Sequence, residues 1–251
     1  MPRSTLSKAV LLLLAALVAA SAIILGGQAL AFPGAGPPAP TSGVRLKSWT
    51  WLAEKEPALR KIQGAYVVER FNAAAQARFG PLAWEEAILA TYEGTNVQEA
   101  IIPIASQKAG VQSALFVFFG PNRGCRALIF EMALAEGKGL RDPSAFSGTI
   151  SLYTPDGDLI ASGVYDRGAV VRTCQGLSGL RPSGVDWECF LECITDLWQD
   201  ILKCALPCGL CLVQRSPAPC IECLLCVGEI LVSCFLDCWN FQLYLPFMLM
   251  R

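Results

Sequence analysis

Cysteine is the residue type whose number and spacing point most directly to chemistry in this sequence. The chain has 251 residues and twelve cysteines, and ten of the twelve lie between Cys189 and Cys238. This density is typical of a disulfide scaffold. The other two, Cys125 and Cys174, lie upstream, and we predict that they pair with each other.

The ten C-terminal cysteines are arranged almost symmetrically. When the first is paired with the last and pairing continues inwards, the two residue numbers add to between 427 and 431 in every pair. A nearly constant sum indicates two antiparallel segments, although ten cysteines allow many other connectivities. The nested bridges would be Cys189–Cys238, Cys193–Cys234, Cys204–Cys226, Cys208–Cys223 and Cys211–Cys220.

The steps between these cysteines predict helices. Spacings of three and four place side chains on one face of a helix, whereas a strand requires even spacings. We therefore predict helices at about 186–206 and 220–240, held together as an antiparallel hairpin by the bridges. The turn between them would contain Pro207, Gly209, Pro217 and Pro219.

Metal binding is the competing interpretation of the same cysteines. Cys208-x2-Cys211, Cys220-x2-Cys223 and Cys223-x2-Cys226 have the spacing of zinc or iron–sulfur ligands. A redox role for Cys-x2-Cys is a further alternative, but that motif belongs in a βαβ setting that the sequence lacks. Disulfides persist outside the cytosol, so the compartment decides between these interpretations.

The N-terminus indicates export. Arg3 and Lys8 precede an apolar run over 9–25, and Ala29-Leu30-Ala31 has the small-x-small pattern of a cleavage site. These are the parts of a secretory signal peptide, so we predict a signal over 1–31 with cleavage before Phe32. An uncleaved membrane anchor is the alternative, because the run approaches the length that spans a bilayer. An exported protein favours disulfides, and we expect no metal or other cofactor.

Several function classes are excluded by composition. The chain has no histidine, so it has no Ser–His or Cys–His catalytic pair and no histidine-ligated metal. Its net charge of −1 supplies no basic surface for nucleic acid. Glu85 and Glu86 are adjacent and would point in different directions on a helix, and Asp156 and Asp158 flank a turn with too few ligands for calcium. We expect that the protein is not an enzyme.

Composition divides the rest of the chain. Proline and glycine are concentrated at 32–43 and glycine at 176–185, so we predict two linkers. The segment 44–175 is long enough for one core. The last segment, 186–251, comprises the cysteine-rich hairpin and an apolar tail.

The middle segment, 44–175, predicts an α+β domain. Helical periodicity covers Trp49–Phe79, with the main helix beginning near Pro57 and a stop at Gly80-Pro81, and a second helix is predicted at Leu82–Tyr92. The remainder predicts an antiparallel sheet of four to six strands, with tight turns at Pro155–Asp158 and Asp166–Gly168. The predicted strands are Ala100–Ala105, Ser113–Phe119, Ala127–Leu134, Thr149–Thr154, Leu159–Tyr165 and Ala169–Val171.

The hairpin carries more apolar surface than its bridges can cover. On a helical wheel the first helix has an acidic stripe, a cysteine strip and a broad apolar face. Two helices have no third layer, and large apolar patches usually mark contact surfaces. The middle domain, a membrane or a second copy would cover this face. The predicted contact residues are Trp187, Phe190, Trp198, Phe235 and Trp239.

The layout resembles that of halocin-type bacteriocin precursors. The resemblance rests on the signal segment, an α+β domain containing the Tyr153–Asp158 hairpin, and a ten-cysteine apolar C-terminal segment. It implies an exported precursor cut by a processing protease. The C-terminal peptide would kill related cells at their membrane, and the N-terminal part would protect the producer. The alternative from the residues is a secreted, non-enzymatic structural or interaction protein with a permanently attached hairpin.

Overall fold

The computed structural model describes residues 44–106, 108–120, 123–135, 146–176, 187–214 and 216–238. Within these residues the protein is α+β, with one antiparallel sheet of eight strands. The predicted signal (1–31), the first linker (32–43), nearly all of the second and the apolar tail lie outside the described residues. The strands are β1 Leu46–Trp51, β2 Ile88–Tyr92, β3 Gln98–Ile104, β4 Val111–Gly120, β5 Arg123–Leu134, β6 Gly148–Tyr153, β7 Leu159–Asp166 and β8 Ala169–Gln175.

In the described part of the chain, helices occupy two stretches, one between β1 and β2 and one after β8. A π-helical stretch, Phe71–Ala75, joins two short helices of the first group. A 3-10 turn, Leu202–Cys204, joins the first two helices of the second group. The helices are α1 Glu56–Gln63, α2 Tyr66–Arg70, α3 Gln76–Phe79, α4 Trp187–Ile201, α5 Ala205–Gln214 and α6 Pro217–Cys238.

The strands follow one another through the sheet in chain order, and each is antiparallel to the next. Both predicted tight turns are confirmed. Gly157 has a φ of 89° between β6 and β7, and Arg167 and Gly168 have φ of 47° and 77° between β7 and β8. Positive φ at two successive central residues suits the right-handed twist of the paired strands.

Two predictions for the middle segment are wrong. Residues 49–51 belong to β1 rather than to a helix, and Leu82–Tyr92 contains one 3-10 turn, Trp84–Glu86, followed by β2. Strand β2 pairs with β1 on one side and β3 on the other, so its residues gain hydrogen bonds and burial that local propensity cannot foresee. The sheet therefore has eight strands rather than four to six.

The first helical layer largely follows its sequence signals. Helix α1 has Pro57 in its first turn, where the missing N–H would have no helical partner, and it ends at Gly64. Helix α3 ends at Gly80, which has a φ of 118°. A Cβ at Gly80 would lie 2.5 Å from the carbonyl oxygen of Ala105, so both the backbone conformation and the close approach require glycine there.

Both faces of the sheet are covered. Successive side chains of a strand point to opposite faces. In β4, Leu115 and Val117 pack with α1–α3, whereas Phe116 and Phe118 pack with α4–α6. The described residues therefore form three layers, with the sheet between the first helical group and the C-terminal helices.

The C-terminal segment turns later than predicted. Pro207 and Gly209 lie inside α5, which ends at Gln214, and α6 begins at Pro217. Proline is tolerated in the first turn of a helix, which is where Pro207 lies in α5 and Pro217 and Pro219 lie in α6. Three helices and a 3-10 turn thus replace the two helices that the spacing predicts.

Candidate interaction surface: the hairpin on the sheet

Five disulfides connect α6 to the preceding helical segment, and they are the five pairs of the nested arrangement. Their Cα–Cα distances run from 4.5 to 5.7 Å, within the range that disulfides require. The bridges therefore hold α6 in close contact with α4 and α5 over most of its length. The pairs are Cys189–Cys238, Cys193–Cys234, Cys204–Cys226, Cys208–Cys223 and Cys211–Cys220.

The predicted Cys125–Cys174 bridge is wrong, because both thiols are unbonded. Cys125 lies on β5 and Cys174 on β8, with β6 and β7 between them. Three strand spacings amount to roughly 14 Å, about twice the longest Cα separation that a disulfide spans. The Cys125 side chain packs with the first helical layer, and burial raises the pKa of its thiol despite the charges of Lys61 and Arg126.

Helix α4 lies on the sheet through a row of large apolar residues. Phe190, Ile194, Trp198 and Ile201 recur at helical spacing and are at most 3 % exposed. The Trp198 ring packs edge-on against Tyr165 of β7, and the Tyr165 hydroxyl donates a hydrogen bond to the Trp198 carbonyl at 3.2 Å. Burial raises the pKa of Tyr165, so its hydroxyl remains a donor across the physiological range.

Helix α6 reaches the middle of the sheet. Phe235 is 3 % exposed and stacks on Phe118 of β4, with ring centroids 4.5 Å apart. Phe190 of α4 contacts the same Phe235 ring edge-on. Glu229 accepts a hydrogen bond from the backbone N–H of Leu46 at 2.7 Å, which ties the helix to the edge strand β1. The docked position is therefore fixed by both ring packing and directed polar contacts.

The structure places the side chains of three of the five predicted contact residues. Phe190, Trp198 and Phe235 are buried on the sheet, which is the chain's own middle domain. Trp187 is the first residue of α4, and only its backbone is described. Trp239 lies outside the described residues. Among the described hairpin residues with large apolar side chains, Leu206 alone is exposed, at 41 %.

Three residues at this surface were not identified from the sequence. The Glu99 side chain of β3 is completely buried beneath α6, beside Tyr92 of β2 and Gly228 of α6. One signal was present: Glu99 directly precedes the predicted strand Ala100–Ala105, and the observed strand β3 begins one residue earlier, at Gln98. A charged residue in a strand is rarely fully buried, so a glutamate on a covered face of the sheet is unusual.

A cavity of about 380 Å³ lies where the hairpin turn meets the end of the sheet. Glu85, Glu86 and Lys108 line it together with the Cys211–Cys220 bridge. Glu85 and Glu86 are exposed on the 3-10 turn, so they form no buried acid–base pair. The paired aspartates Asp156 and Asp158 lie at the β6–β7 turn, where Arg70 forms an ion pair with Asp156.

The described residues contain no group of three potential ligands that could hold a metal ion. Every cysteine of the Cys-x2-Cys motifs is bonded to another cysteine, so none of them offers the thiolate that a zinc or iron–sulfur site needs. Five disulfides in one chain fit a protein of an oxidising compartment.

Comparisons with protein-family models, curated proteins and solved structures find no match to this chain. One described helix, α6, is long and apolar enough to cross a membrane, and most of its apolar stretch is buried within the protein.

Proposed function

We propose that the protein is a secreted bacteriocin-like precursor. In this proposal the domain at 44–175 covers the apolar face of the hairpin. Cleavage in the linker at 176–185 then allows the segment 186–251 to act on the membrane of a target cell. The observation that carries the proposal is the burial of Phe190, Trp198 and Phe235 on a separate part of the same chain.

Undocking would expose the apolar face of the hairpin while its internal bridges stay closed. The hairpin is closed by its own five bridges, and none of them crosses to the sheet domain. Loss of the sheet would therefore leave α4–α6 constrained by the bridges while their apolar face meets water. Large exposed apolar patches bind other apolar surfaces, including lipid.

The dimensions of α6 suit a bilayer. Its 22 residues extend about 33 Å at 1.5 Å per residue, close to the hydrocarbon thickness of about 30 Å. The segment from Asp186 onwards has three basic and eight acidic residues. Apolar burial rather than attraction to anionic lipid would therefore drive binding.

The experiment cuts the secreted chain within 176–185 through an introduced protease site. The oxidised hairpin is then separated in denaturant and diluted onto dye-loaded phosphatidylcholine vesicles. We expect dye release by the separated hairpin and none by the uncut chain. Equal activity of the uncut chain would contradict the proposal, and so would intact vesicles in the presence of the oxidised hairpin.

The second candidate is a secreted structural or interaction protein with a permanently docked hairpin. The directed contacts of Glu229 with Leu46 and of Tyr165 with Trp198 favour it, because they fix one docked geometry. Intact mass of the natural secreted form separates the two candidates. The precursor is expected to be cut between the domains, whereas the permanent arrangement would leave one chain.

A further inference from the structure

Glu99 occupies an unusual position at the centre of the docking surface. Its side chain is 0 % exposed, and its Oε2 accepts a hydrogen bond from the Tyr92 hydroxyl. The other carboxyl oxygen, Oε1, has no hydrogen-bond partner among the described residues. A buried carboxylate with a single neutral donor is costly, because water no longer solvates its charge.

The hairpin itself covers this carboxyl group. Gly228 of α6 lies directly over it, and a Cβ at Gly228 would be 2.5 Å from Glu99 Oε2 and 3.1 Å from the Tyr92 hydroxyl oxygen. The bare helix backbone thus closes the space above the acid. If α6 left the sheet, water would reach Glu99.

The neighbouring groups do not compensate a negative charge on Glu99. Tyr92 on β2 contributes a hydroxyl, Glu229 on α6 is acidic, and the residue opposite on β4 is Phe118. Arg45 and Lys47 near β1 are exposed, and no described cation forms an ion pair with Glu99. The surroundings therefore favour the protonated carboxyl group.

We propose that Glu99 is a proton-operated latch: the hairpin docks with Glu99 protonated and is released as this carboxyl group gives its proton to water. Only the O–H bond of the carboxyl group breaks, and the carboxylate formed becomes solvated when α6 leaves. This inference deepens the proposed function, because it gives a regulation to the surface on which that function rests.

The direction of the pH dependence follows from the two states. Burial raises the pKa of docked Glu99 to about 8; the Tyr92 hydrogen bond lowers it and Glu229 raises it. An exposed glutamate has a pKa of about 4.3. Docking is therefore strongest below about pH 4 and weakens roughly tenfold per pH unit until about pH 8. Tyr92 stays protonated throughout, because burial raises its pKa well above the ordinary value.

The test uses full-length chain cut in place within 176–185 and immobilised through its N-terminal part. The fraction of hairpin retained is measured from pH 5 to pH 9. For the wild type we expect the dissociation constant to rise roughly tenfold per unit up to about pH 8. Glu99→Gln keeps an acceptor for Tyr92 but cannot ionise, so its retention should be nearly independent of pH.

Two further variants sharpen the test. Glu93→Gln removes an exposed carboxyl group next to the same strand pair and should leave the wild-type profile unchanged. Tyr92→Phe removes the hydrogen bond that lowers the pKa of Glu99, so its release should move to higher pH. Tyr92→Phe also tests the latch if Glu99→Gln does not fold. If the pH at which half of the hairpin is released is then the same in Tyr92→Phe as in the wild type, the latch is overturned.

The latch is equally overturned if wild type and Glu99→Gln lose the hairpin with the same pH dependence. This result is distinct from failure of the proposed function, which is measured by vesicle leakage. A membrane-active hairpin with pH-independent docking would reject the latch alone. A hairpin whose release from the sheet depends on pH, but which leaves vesicles intact, would reject the bacteriocin-like role alone.

Discussion

The two helical layers cover opposite faces of the same sheet in different ways. The first layer consists of α1, α2 and α3, which are eight, five and four residues long and contain no disulfide. The second layer consists of α4–α6, and five bridges close it on itself. Both bury large apolar residues against alternate side chains of the same strands.

The difference concerns what each layer needs from the sheet. Helices shorter than about 12–15 residues are marginal in water, so α1–α3 depend on packing against the sheet. The hairpin is constrained by its own five disulfides, and the sheet covers its apolar face. Under the proposed function, the first layer is part of the domain fold and the second layer is a module that can separate from the sheet.

The largest expected effects come from two neighbouring phenylalanines of β4. Phe118 stacks on Phe235 of the hairpin, whereas Phe119 faces the first layer, with the Lys61 ammonium 5.1 Å from its ring centroid. Phe118→Ala and Phe119→Ala should each cost about 3–5 kcal/mol in urea unfolding of the uncut chain. In the cut complex, Phe118→Ala alone should weaken hairpin retention, by roughly a hundredfold or more. Equal release by both variants would contradict the separation of the layers.

The next effect tests the bridges. Replacing Cys193 and Cys234 together by serine should lower the free energy of unfolding by about 2–4 kcal/mol, because the denatured hairpin gains conformational freedom. The control, Cys174→Ser, replaces an unbonded, half-buried thiol by a hydroxyl of similar size and should change it by less than about 0.5 kcal/mol. Alkylation of the denatured, unreduced chain should label Cys125 and Cys174 only. Labelling of a third cysteine would show that a bridge is missing.

A pair of glycine substitutions gives a smaller effect of opposite sign. Gly228→Ala places a methyl group against Glu99 and should cost about 1–3 kcal/mol through overpacking. Gly64→Ala, at the end of α1, meets only the Arg60 carbonyl oxygen, at 3.5 Å, and should be neutral or stabilising by up to about 1 kcal/mol. Thermal unfolding measures both. Similar destabilisation by the two would mean that the close approach at Gly228 has no special role.

The smallest effect concerns the polar contacts of the first layer. Arg70 pairs with Asp156 in a partly buried position, whereas Arg60 pairs with Glu56 in solvent. Arg70→Ala should cost about 1 kcal/mol, and Arg60→Ala close to zero. Urea midpoints at low and high salt measure the difference. Loss of hairpin retention in Arg70→Ala would show that the layers are coupled through the sheet.

Much of the fold follows from local signals in the sequence. The six later strands lie close to their predicted positions, because turn residues such as Gly157 and Gly168 have backbone requirements that few other residues meet. The cysteine pairs could be predicted because a three-to-four residue step on two antiparallel helices constrains which sulfur atoms meet. Such signals depend on only a few neighbouring residues, so they can be recognised without knowledge of the tertiary contacts.

The remainder depends on contacts between distant segments. Strand β2 contains the strand-favouring residues Ile88, Thr91 and Tyr92, but its conformation is decided by pairing with β1 and β3. Docking of the hairpin had one indication: every residue of Ala114–Phe119 is apolar, and a strand without a polar face requires cover on both sides. The burial of Glu99 depends on α6 lying above it, which no local pattern encodes.

Recombination of the separated parts tests the separable module most directly. The chain is cut within 176–185, the oxidised hairpin is removed in denaturant, and both parts are refolded and mixed. Calorimetry at pH 6 should show one hairpin bound per sheet domain, with weaker binding at pH 8. A hairpin that has lost its helical structure when alone, or that fails to rebind with its five bridges intact, would contradict the account.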